Sequence, residues 1–258
     1  MELYIIRHAQ STNNALASQE QRVEDPALTD LGQRQAERLA DHLARGCQPL
    51  FGAAPEGVRA EGHLRGYGLT HLYCSPMLRS LQTADYLARA LDLKPQVWIE
   101  VHEQGGIFLE EGAPGARLIL GKPGMTRPEI LGRFPNFTLP EAITERGWWN
   151  RGFEEWAACH ARAAEVAEEL RARAASGAGQ RVAIVSHGGF IDALLKALLH
   201  SRTPQGSNGH SGPPPGDPGI FFLHYNAAID FVAIREDGHV RVVYLNRIEH
   251  LPPDLTSY

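Results

Sequence analysis

The sequence predicts a layered α/β protein, because short apolar runs typical of buried strands alternate with longer segments of helical periodicity. Three junctions between such a run and a following helix support this prediction: IIRHAQS from Ile5, LYCSPMLR from Leu72 and AIVSHGGF from Ala183. Two further strand candidates, 228–235 and 240–246, close the chain. The recurring order of strand and helix favours layers of sheet and helix over an all-α or all-β fold.

The first half of the chain contains two strand–helix pairs. Residues 3–6 form a short apolar run rich in β-formers, and residues 31–44 repeat apolar side chains at helical spacing after Thr29, a suitable N-cap. Residues 71–74 form the next apolar run, and the Ser-Pro pair behind it supplies a cap and a proline for the first position of a helix over 77–91. Each predicted strand therefore leads into a helix.

The second half of the chain continues the pattern. Residues 97–99 combine β-branched and aromatic side chains and predict a third strand. The alanine, glutamate and arginine content of 153–175 predicts a long helix. Residues 181–186 then predict a buried strand, and residues 189–200 predict an apolar helix.

The length of 258 residues is compatible with one domain, 1–258, that carries insertions. Three stretches interrupt the strand and helix pattern, at 46–68, 105–152 and 201–219. The second stretch is long and irregular, which is more typical of a substrate lid than of a linker. The third is rich in Pro, Gly and Ser and is expected to be a mobile loop.

The composition excludes several classes of function. A net charge of -5 and a sequence pI near 6.2 leave no basic stripe to displace counterions, so we expect no nucleic-acid partner. No apolar run approaches the roughly 20 residues that cross a bilayer, and no secretory leader opens the chain, so we expect a cytoplasmic protein with no membrane partner. Cys47, Cys74 and Cys159 are odd in number and far apart, which predicts neither a disulfide framework nor a metal site.

Two arginines and two histidines lie at the three strand–helix junctions. Arg7 and His8 are at the first junction, Arg79 is at the second and His187 is at the third. In open α/β sheets ligands bind at the carboxyl ends of the strands, where helix N-termini offer free N–H groups and a partial positive charge. These four side chains would therefore form a site for a dianion such as phosphate.

The sequence resembles the histidine phosphatase superfamily, the phosphoglycerate mutase-like proteins. The resemblance rests on Arg7-His8 followed by Asn14, and on LTDLGQRQA from Leu28, SPMLRSLQTA from Ser75, VSHGGFIDAL from Val185, and Asn226 with Leu245-Asn246. It implies a three-layer α/β/α sandwich with a mostly parallel central sheet, to which the stretch 105–152 would add a lid-like insertion. It also implies a phosphatase that hydrolyses a phosphomonoester of a small metabolite through a phosphohistidine intermediate.

The resemblance places the catalytic nucleophile at His8. Its imidazole must be neutral to attack phosphorus, and the positive charges of Arg7 and Arg79 favour that form. The two arginines are also expected to bind the phosphoryl oxygens, since a planar guanidinium group suits bidentate contacts.

Further phosphate-binding residues follow from the same resemblance. Asn14 matches a position whose side chain donates to a phosphate oxygen, and Ser11, where the family usually has threonine, keeps a hydroxyl that could reach the phosphate. His187 is expected to be protonated when phosphate is bound, and the Gly188-Gly189 step to let the backbone approach the site closely, with Gly188 as a phosphate-binding residue. Ala9 replaces the usual glycine, which raises the question of whether this turn needs a positive φ.

The leaving alkoxide needs a proton that neither arginine can release, so the general acid must be a carboxyl group. Glu103 is at the position where the family places this acid, which then acts as a base. The family's Gly-x-Trp-Glu-Gly run after that glutamate is replaced here by GGIFLEEG. Glu100, Glu110 and Glu111 therefore stay alternatives to Glu103.

The scheme requires no metal and no other cofactor. We expect a small phosphorylated metabolite as the partner, and a homodimer is possible.

Three alternative functions stay open. The first is a phosphoglycerate mutase-type transfer, although the chain lacks the aromatic-rich stretch that the resemblance would lead us to expect after Asn14 in glycolytic mutases. The second is a metal-dependent hydrolase built from His8, His187 and Glu103, which two arginines would make electrostatically costly. The third is a non-catalytic phosphate-binding protein.

Substrate recognition is expected to depend on residues 105–152. The basic residues of this stretch could bind a second anionic group, and its aromatic residues could cover a sugar or a ring. Alternatively, the stretch packs on itself. These candidates are Arg117, Lys122, Arg127, Arg133, Arg146, Phe134, Phe137, Trp148 and Trp149.

Overall fold

The structure is a computed structural model that describes residues 1–48, 64–112, 118–176, 179–199 and 220–258. The predicted mobile loop 201–219, most of the stretch 46–68 and the candidate Arg117 lie outside the described residues. The strands are β1 (Glu2–Arg7), β2 (Cys47–Gln48), β3 (Leu64–Arg65), β4 (His71–Cys74), β5 (Gln96–Val97), β6 (Phe108–Glu111), β7 (Leu118–Gly121), β8 (Arg181–Ser186), β9 (Ile229–Ile234) and β10 (Val240–Arg247). The helices are α1 (Asp30–Arg45), α2 (Leu78–Leu91), α3 (Arg127–Arg133), α4 (Trp156–Ala175) and α5 (Gly188–Leu199).

Six of these strands form the central sheet, in the order β10-β9-β1-β8-β4-β5. β1 pairs in parallel with β8, β8 with β4, and β4 with β5, whereas β9 is antiparallel to β1 and β10 to β9. The four middle residues of β1 and of β8 are apolar and buried, as expected for central strands that are covered on both faces. The predicted mostly parallel central sheet is confirmed.

Helices cover both faces of this sheet. α1 and α2 pack together and share a hydrophobic cluster with Tyr4 and Ile6 of β1. α4 and α5 share a second cluster with Leu3 and Ile5, which point to the opposite face because side chains alternate along a strand. The predicted three-layer α/β/α sandwich is confirmed. In the part of the chain that the structure describes, no helix is both long and apolar enough to cross a membrane.

Two elements near the site differ from the sequence prediction. α2 begins at Leu78 with Met77 as its N-cap, so Pro76 precedes the helix. The reason is that the N–H of Ser75 still donates to the carbonyl oxygen of Val185 in the sheet, at 3.1 Å. The third strand is shorter than predicted and ends at Val97, because the chain turns into a short 3₁₀ helix before it reaches the site.

The stretch 105–152 is more regular than its sequence suggested. It contains the hairpin β6–β7 and the helix α3, which begins with a capping box between Thr126 and Glu129. After it, α4 begins at Trp156, three residues later than predicted, because the N–H of Glu154 donates to the carbonyl oxygen of Gly105.

Gly32 packs the start of α1 against the loop that follows β1. Thr29 is the predicted N-cap, and its Oγ1 accepts a hydrogen bond from the N–H of Gly32 at 2.9 Å. A Cβ atom on Gly32 would overlap the carbonyl oxygen of Gln10. The absence of a side chain at position 32 thus lets the helix support the loop that carries His8.

Substituting Gly32→Ala is expected to lower the free energy of unfolding by about 1–3 kcal/mol, because the backbone at Gln10 cannot move aside as a flexible side chain could. Urea denaturation measures this loss. Gly132→Ala in α3 is the matched control, since a Cβ there meets nothing within 4 Å. It should leave the protein equally stable or stabilise it by up to about 1 kcal/mol. Equal losses in both variants would contradict the packing role of Gly32.

Candidate active site

His8 follows directly on the last residue of β1 and is buried at the carboxyl edge of the central sheet. Its Nε2 accepts a hydrogen bond from Nε of Arg79 at 3.1 Å, and its Nδ1 lies 2.7 Å from the carbonyl oxygen of Ala9. An arginine N–H can only donate, so Nε2 is the unprotonated nitrogen and Nδ1–H donates to Ala9. The lone pair of His8 therefore faces the arginine.

Burial and the positive charges of Arg79 and Arg7 lower the pKa of His8 well below its ordinary value. The pKa of His187 is also lowered well below its ordinary value, by burial first and then by the charge of Arg79. The two ring centres are 5.0 Å apart. Both rings are therefore neutral near pH 7 when no ligand is bound. The sequence analysis predicted a protonated His187 only for the state with bound phosphate, so the two statements concern different states.

His187 follows directly on β8 and contacts the residue that follows β4. Its Nε2 lies 2.6 Å from Oγ of Ser75. A neutral His187 that accepts from this hydroxyl carries its hydrogen on Nδ1, which is buried and bonds to no described residue. Nε of Arg7 is likewise buried without a hydrogen-bond partner in the described part of the chain. Both N–H groups therefore lack an acceptor in the described part of the chain; Arg7 lines the cavity described below, whereas His187 does not.

Arg7 is held from the C-terminal part of the chain. Its Nη1 donates to the carbonyl oxygen of His224, and its guanidinium carbon lies 5.4 Å from the centre of the Tyr258 ring. His224 is itself held by its ring, whose Nε2 lies 2.8 Å from a carboxylate oxygen of the buried Asp230. A Cβ on Gly188 would lie 3.5 Å from Nε of Arg7, which is ordinary contact. Gly188 thus adjoins Arg7 without being required to be glycine.

Arg79, in the first turn of α2, lies beside the buried carboxyl group of Asp25. Its Nη1 is 3.8 Å from Oδ1 of Asp25, which also accepts from the N–H of Leu78 at 3.0 Å. Burial raises the pKa of Asp25 to about 6, although the charge of Arg79 and the Leu78 N–H oppose the shift. Sequence reasoning missed Asp25, because no local pattern shows that it meets α2.

Substituting Asp25→Asn is expected to raise stability above pH 6 but not at pH 4. The folded-state pKa of about 6 exceeds the ordinary 3.8, so the folded protein keeps a proton at Asp25 where the unfolded chain has lost it. Wild-type stability therefore falls as pH rises from about 4 to about 6, by at most about 3 kcal/mol, and asparagine removes this loss.

Urea denaturation of both proteins at pH 4 and pH 7.5 measures the effect of Asp25. The side chain of Asp25 is 13% exposed. The side chain of Asp85, on α2, is 37% exposed and forms an ion pair with Arg89. Asp85→Asn is therefore the control and should leave the pH profile unchanged. A constant stability difference between wild type and Asp25→Asn at both pH values would show that burial does not destabilise the charged carboxyl group.

Asn14 and Ser11 form one hydrogen-bonded unit. Oδ1 of Asn14 accepts from N and Oγ of Ser11 at 3.0 and 2.8 Å, and Nδ2 of Asn226 lies 3.5 Å from it. These donors set the orientation of the amide, so that Nδ2 of Asn14 stays available to a ligand. The hydroxyl hydrogen of Ser11 is used in the bond to Asn14. Ser11 therefore orients Asn14 instead of offering its own hydrogen to a phosphate.

Glu103 lies at the N-terminus of α5. Its Oε1 accepts from the N–H groups of Gln104 and Phe190 at 2.9 and 3.0 Å, and its Oε2 accepts from that of Gly189 at 3.4 Å. The first N–H groups of a helix lack partners within the helix, so they hold this carboxylate in place. A Cβ on Gly189 would lie 2.8 Å from Oε1 of Glu103. Of the two glycines of the Gly188-Gly189 step, Gly189 is therefore the one whose backbone lies closest to a site side chain.

The three alternative glutamates lie elsewhere. Glu100, Glu110 and Glu111 are exposed and do not line the cavity described below. Glu111 forms an ion pair with Lys122 across the hairpin, at 2.8 Å. Of the four candidates for the general acid, Glu103 is the one that the fold brings to His8 and the arginines.

A cavity of about 520 Å³ connects these groups. Its inner wall consists of Gly189 and most of the predicted site residues: Arg7, His8, Ser11, Asn14, Arg79 and Glu103. The predicted His187 and Gly188 do not line it. Sequence reasoning missed its outer wall, which consists of Asn13, Arg22, Glu24, Pro26, Gln104, Gly106, Phe108, Trp156, Phe221 and Tyr258. The outer wall is drawn from well-separated parts of the chain, so no local pattern could have found it.

Most of the residues predicted to recognise the substrate lie outside the cavity. Phe134, Phe137, Trp148 and Trp149 are buried in the hydrophobic core beneath α1 and α2. Arg127 donates to the carbonyl oxygens of Pro140 and Ile143, and Lys122, Arg133 and Arg146 do not line the cavity either. The described part of 105–152 thus packs against the core of the domain, and it contributes only Gly106 and Phe108 to the cavity wall.

The family model of the histidine phosphatase superfamily (branch 1) matches residues 3–50, 57–111 and 121–211. The chain belongs to the histidine phosphatase superfamily. The matched segments contain His8, Arg79, Glu103 and His187. No curated protein matches the chain significantly.

Solved structures show the same fold over nearly the whole chain. A mycobacterial glucosyl-3-phosphoglycerate phosphatase is 20% identical with a TM-score of 0.51, over 96% of this chain and 99% of that one. A phosphoserine phosphatase from Entamoeba histolytica is 18% identical with a TM-score of 0.52, over 97% and 99%. The ecdysone phosphate phosphatase from Bombix mori is 15% identical with a TM-score of 0.57, over 98% and 93%. These similarities establish the fold.

This histidine phosphatase accepts alanine at position 9 without strain. Positive φ angles occur at three described non-glycine residues, Asp92, Ala227 and Asn246, and Ala9 is not among them. The methyl group of Ala9 is fully buried, and its N–H donates to Oγ1 of Thr83 at 3.2 Å. The turn after the Arg-His pair therefore does not need glycine.

A buried ion pair supports the segment that carries Glu103. Nε and Nη2 of Arg162 donate to the two carboxylate oxygens of Glu154 at 2.9 and 2.5 Å, and its Nη1 donates to the carbonyl oxygens of Glu100 and His102. Burial acts to raise the pKa of Glu154, but the neighbouring ring of His102 and the hydrogen bonds and charge of Arg162 bring it to about 2. Arg162 thus holds the backbone directly before Glu103.

His8 and His187, two ligands of the metal-dependent alternative, contact other side chains through Nε2. Nε2 of His8 accepts from Arg79, and Nε2 of His187 contacts Ser75. Within the described ranges, no group of three or more His, Cys, Asp or Glu side chains is arranged to hold a metal ion.

Proposed function

We propose that this protein is a phosphatase that hydrolyses a phosphomonoester of a small metabolite through a phosphohistidine on His8. One observation carries the proposal: a neutral His8, with its Nε2 lone pair beside Arg79, lines the same cavity as the carboxyl group of Glu103. This combination supplies a nucleophile, a charge clamp and a proton donor, which are the requirements for phosphoryl transfer to a side chain.

In the first step, Nε2 of His8 attacks the phosphorus atom and the bond to the ester oxygen breaks. Arg79 turns its N–H from His8 to a phosphoryl oxygen, and Nε of Arg7 and Nδ1 of His187 donate to the others. Protonated Glu103 gives its proton to the leaving oxygen, so the alcohol departs neutral. Hydrogen-bond donors that the fold holds beside the site stabilise the negative charge that builds up on the phosphoryl oxygens.

In the second step, water attacks the phosphohistidine and inorganic phosphate leaves. Glu103, now a carboxylate, accepts a proton from the attacking water, which returns both residues to their starting state. The scheme uses no metal ion. The names of the three structural neighbours, which refer to phosphatases of small phosphorylated molecules, support a metabolite substrate.

We also propose that residues 1–258 form one histidine phosphatase domain. In support, the segments matched by the family model include β1, β4 and β8 and the helices of both outer layers. Residues 112–120, which fall between two matched segments, would then be an insertion into this domain.

The test is to incubate the protein with a ³²P-labelled phosphomonoester and to quench it within the first turnover. An acid-labile label on His8, together with stoichiometric release of inorganic phosphate, is expected. Label on His8 with isomerised phosphoglycerate and no phosphate release would support a mutase instead. Activity that disappears on exhaustive chelation and returns with a divalent metal would contradict the metal-free scheme.

A further inference from the structure

Four aromatic side chains stand in the outer wall of the cavity: Phe108, Trp156, Phe221 and Tyr258. We call them the aromatic rim. Trp156, Phe221 and Tyr258 are 42%, 53% and 52% exposed, although each has a large apolar ring. Rings that are exposed around the mouth of a cavity gain free energy when a ligand of similar character covers them.

Two rings of the aromatic rim are held in place by their neighbours. Phe108 packs edge-on against Phe153, with the ring centres 4.8 Å apart, and Gly105 leaves the space that both rings need. Trp156 lies at the first position of α4, with its ring centre 5.8 Å from that of His160. Side chains that are already ordered lose little entropy when a ligand binds, so these rings are suited to recognition.

The charges of the outer wall do not favour a second anionic group on the substrate. Arg22 and Glu24 both line this wall, and the guanidinium carbon of Arg22 lies 5.8 Å from the centre of the Phe108 ring. A carboxylate or second phosphate here would meet the negative charge of Glu24 as well as the positive charge of Arg22. Arg7 and Arg79 lie at the inner end, where one phosphoryl group occupies them.

We propose that the organic part of the substrate is an aromatic or similarly flat apolar group, and that Trp156 and Phe108 select it by ring contacts. The inference rests on the proposed phosphatase function and extends it to a substrate class. The phosphoryl group binds between Arg7 and Arg79, and the ring of the substrate lies against the aromatic rim.

Phosphonates test this substrate class separately from catalysis, because their P–C bond is not hydrolysed. By calorimetry, 2-phenylethylphosphonate is expected to bind about tenfold more tightly than propylphosphonate, the gain from one or two ring contacts. Equal affinities would overturn the inference, as would tighter binding of the carboxylated 3-phosphonopropionate. Neither result would affect the proposed phosphatase function.

Variants then assign the preference to the aromatic rim. Trp156→Ala is expected to reduce the ratio of the two affinities to about threefold or less, and Trp156→Phe to retain most of it. Tyr86→Ala is the matched control, since Tyr86 is an aromatic residue on α2 that packs under Arg89 outside the cavity. An unchanged ratio in Trp156→Ala would exclude Trp156 as a selecting residue.

Turnover of the matching esters separates the two proposals. The alcohols that leave from 2-phenylethyl phosphate and propyl phosphate are similarly basic, so the ratio of their kcat/KM values reports recognition and not leaving-group chemistry. The aryl-substituted ester is expected to be favoured about tenfold. If neither ester is hydrolysed and His8 is not labelled, while the phosphonate preference persists, the phosphatase proposal fails and the ligand class of the aromatic rim stands.

Discussion

Replacing His8 with alanine is expected to lower kcat for phosphomonoester hydrolysis by about 10⁴-fold or more. The reason is that Nε2 of His8 is the nitrogen lone pair that faces Arg79 in the cavity, and alanine offers no atom that can bond to phosphorus. Arg7 and Arg79 would still bind the phosphoryl group, so the substrate can bind without reacting. The residual rate would reflect electrostatic stabilisation of direct attack by water.

Two measurements check this prediction. Steady-state release of phosphate gives the loss in rate, and single-turnover quenching with ³²P-labelled ester shows whether any phosphoryl group is bound to the variant. His239→Ala is the control, because His239 is on the turn between β9 and β10, far along the sheet from the cavity. A rate within tenfold of wild type, or label that persists in His8→Ala, would require another nucleophile. Circular dichroism and urea denaturation verify that the variant is folded.

The meeting of Arg7, His8, Arg79 and His187 could be predicted from the sequence because it depends on topology alone. Each residue lies at the end of a strand or in the following helical turn, and β1, β4 and β8 are parallel neighbours in one sheet. Their carboxyl ends therefore face the same edge whatever the exact bounds of the helices. That is why a misplaced start of α2 did not affect the prediction for Arg79.

The surroundings of this core could not be predicted in the same way. Trp148 and Trp149 have the side chains of a ligand-binding surface, yet they are buried, because Gly124 and Gly106 leave slots that the two indole rings fill. Trp156 looked like one more residue of a long helix, although it stands at the cavity mouth. Aromatic composition does not tell which rings the fold will cover, since that depends on contacts between distant segments.

The choice of Glu103 among four glutamates shows the same limit. Local sequence places Glu100, Glu103, Glu110 and Glu111 within twelve residues of one another. Only the path of the chain after β5 brings one of them to the N-terminus of α5, and that path is set by the distant Arg162. Resemblance to a family could indicate Glu103, whereas spacing and composition could not.

Substituting Glu103→Gln is expected to lower kcat for an alkyl phosphate by about 10²–10⁴-fold, the usual contribution of a general acid. Glutamine has nearly the same shape, and its Oε1 can still accept from the N–H groups of Gln104 and Phe190. Of these hydrogen bonds, the variant loses only the longer one from the N–H of Gly189 to Oε2, at 3.4 Å, because an amide NH₂ cannot accept it. It also loses the proton for the leaving oxygen. For p-nitrophenyl phosphate, whose leaving group is a stable anion, the first step should therefore be slowed much less than for an alkyl phosphate.

The second step should be slowed for both esters, because glutamine cannot accept a proton from the attacking water. Phosphohistidine would then accumulate in Glu103→Gln during turnover of p-nitrophenyl phosphate. Stopped-flow absorbance should show a rapid burst of p-nitrophenol that approaches one equivalent per site, followed by slow steady release. Wild type, whose Glu103 assists both steps, should show a smaller burst.

Glu100→Gln provides the control. The side chain of Glu100 is exposed, and Arg162 donates to its backbone carbonyl oxygen, which the substitution leaves in place. Glu100→Gln should leave the hydrolysis rates of both esters and the size of the burst unchanged. Equal losses in kcat/KM for the alkyl and aryl esters in Glu103→Gln, with no burst, would mean that Glu103 only holds the start of α5 in place. The ratio of the two losses in kcat/KM, which reports the first step, therefore separates proton transfer from positioning, because only proton transfer depends on the basicity of the leaving group.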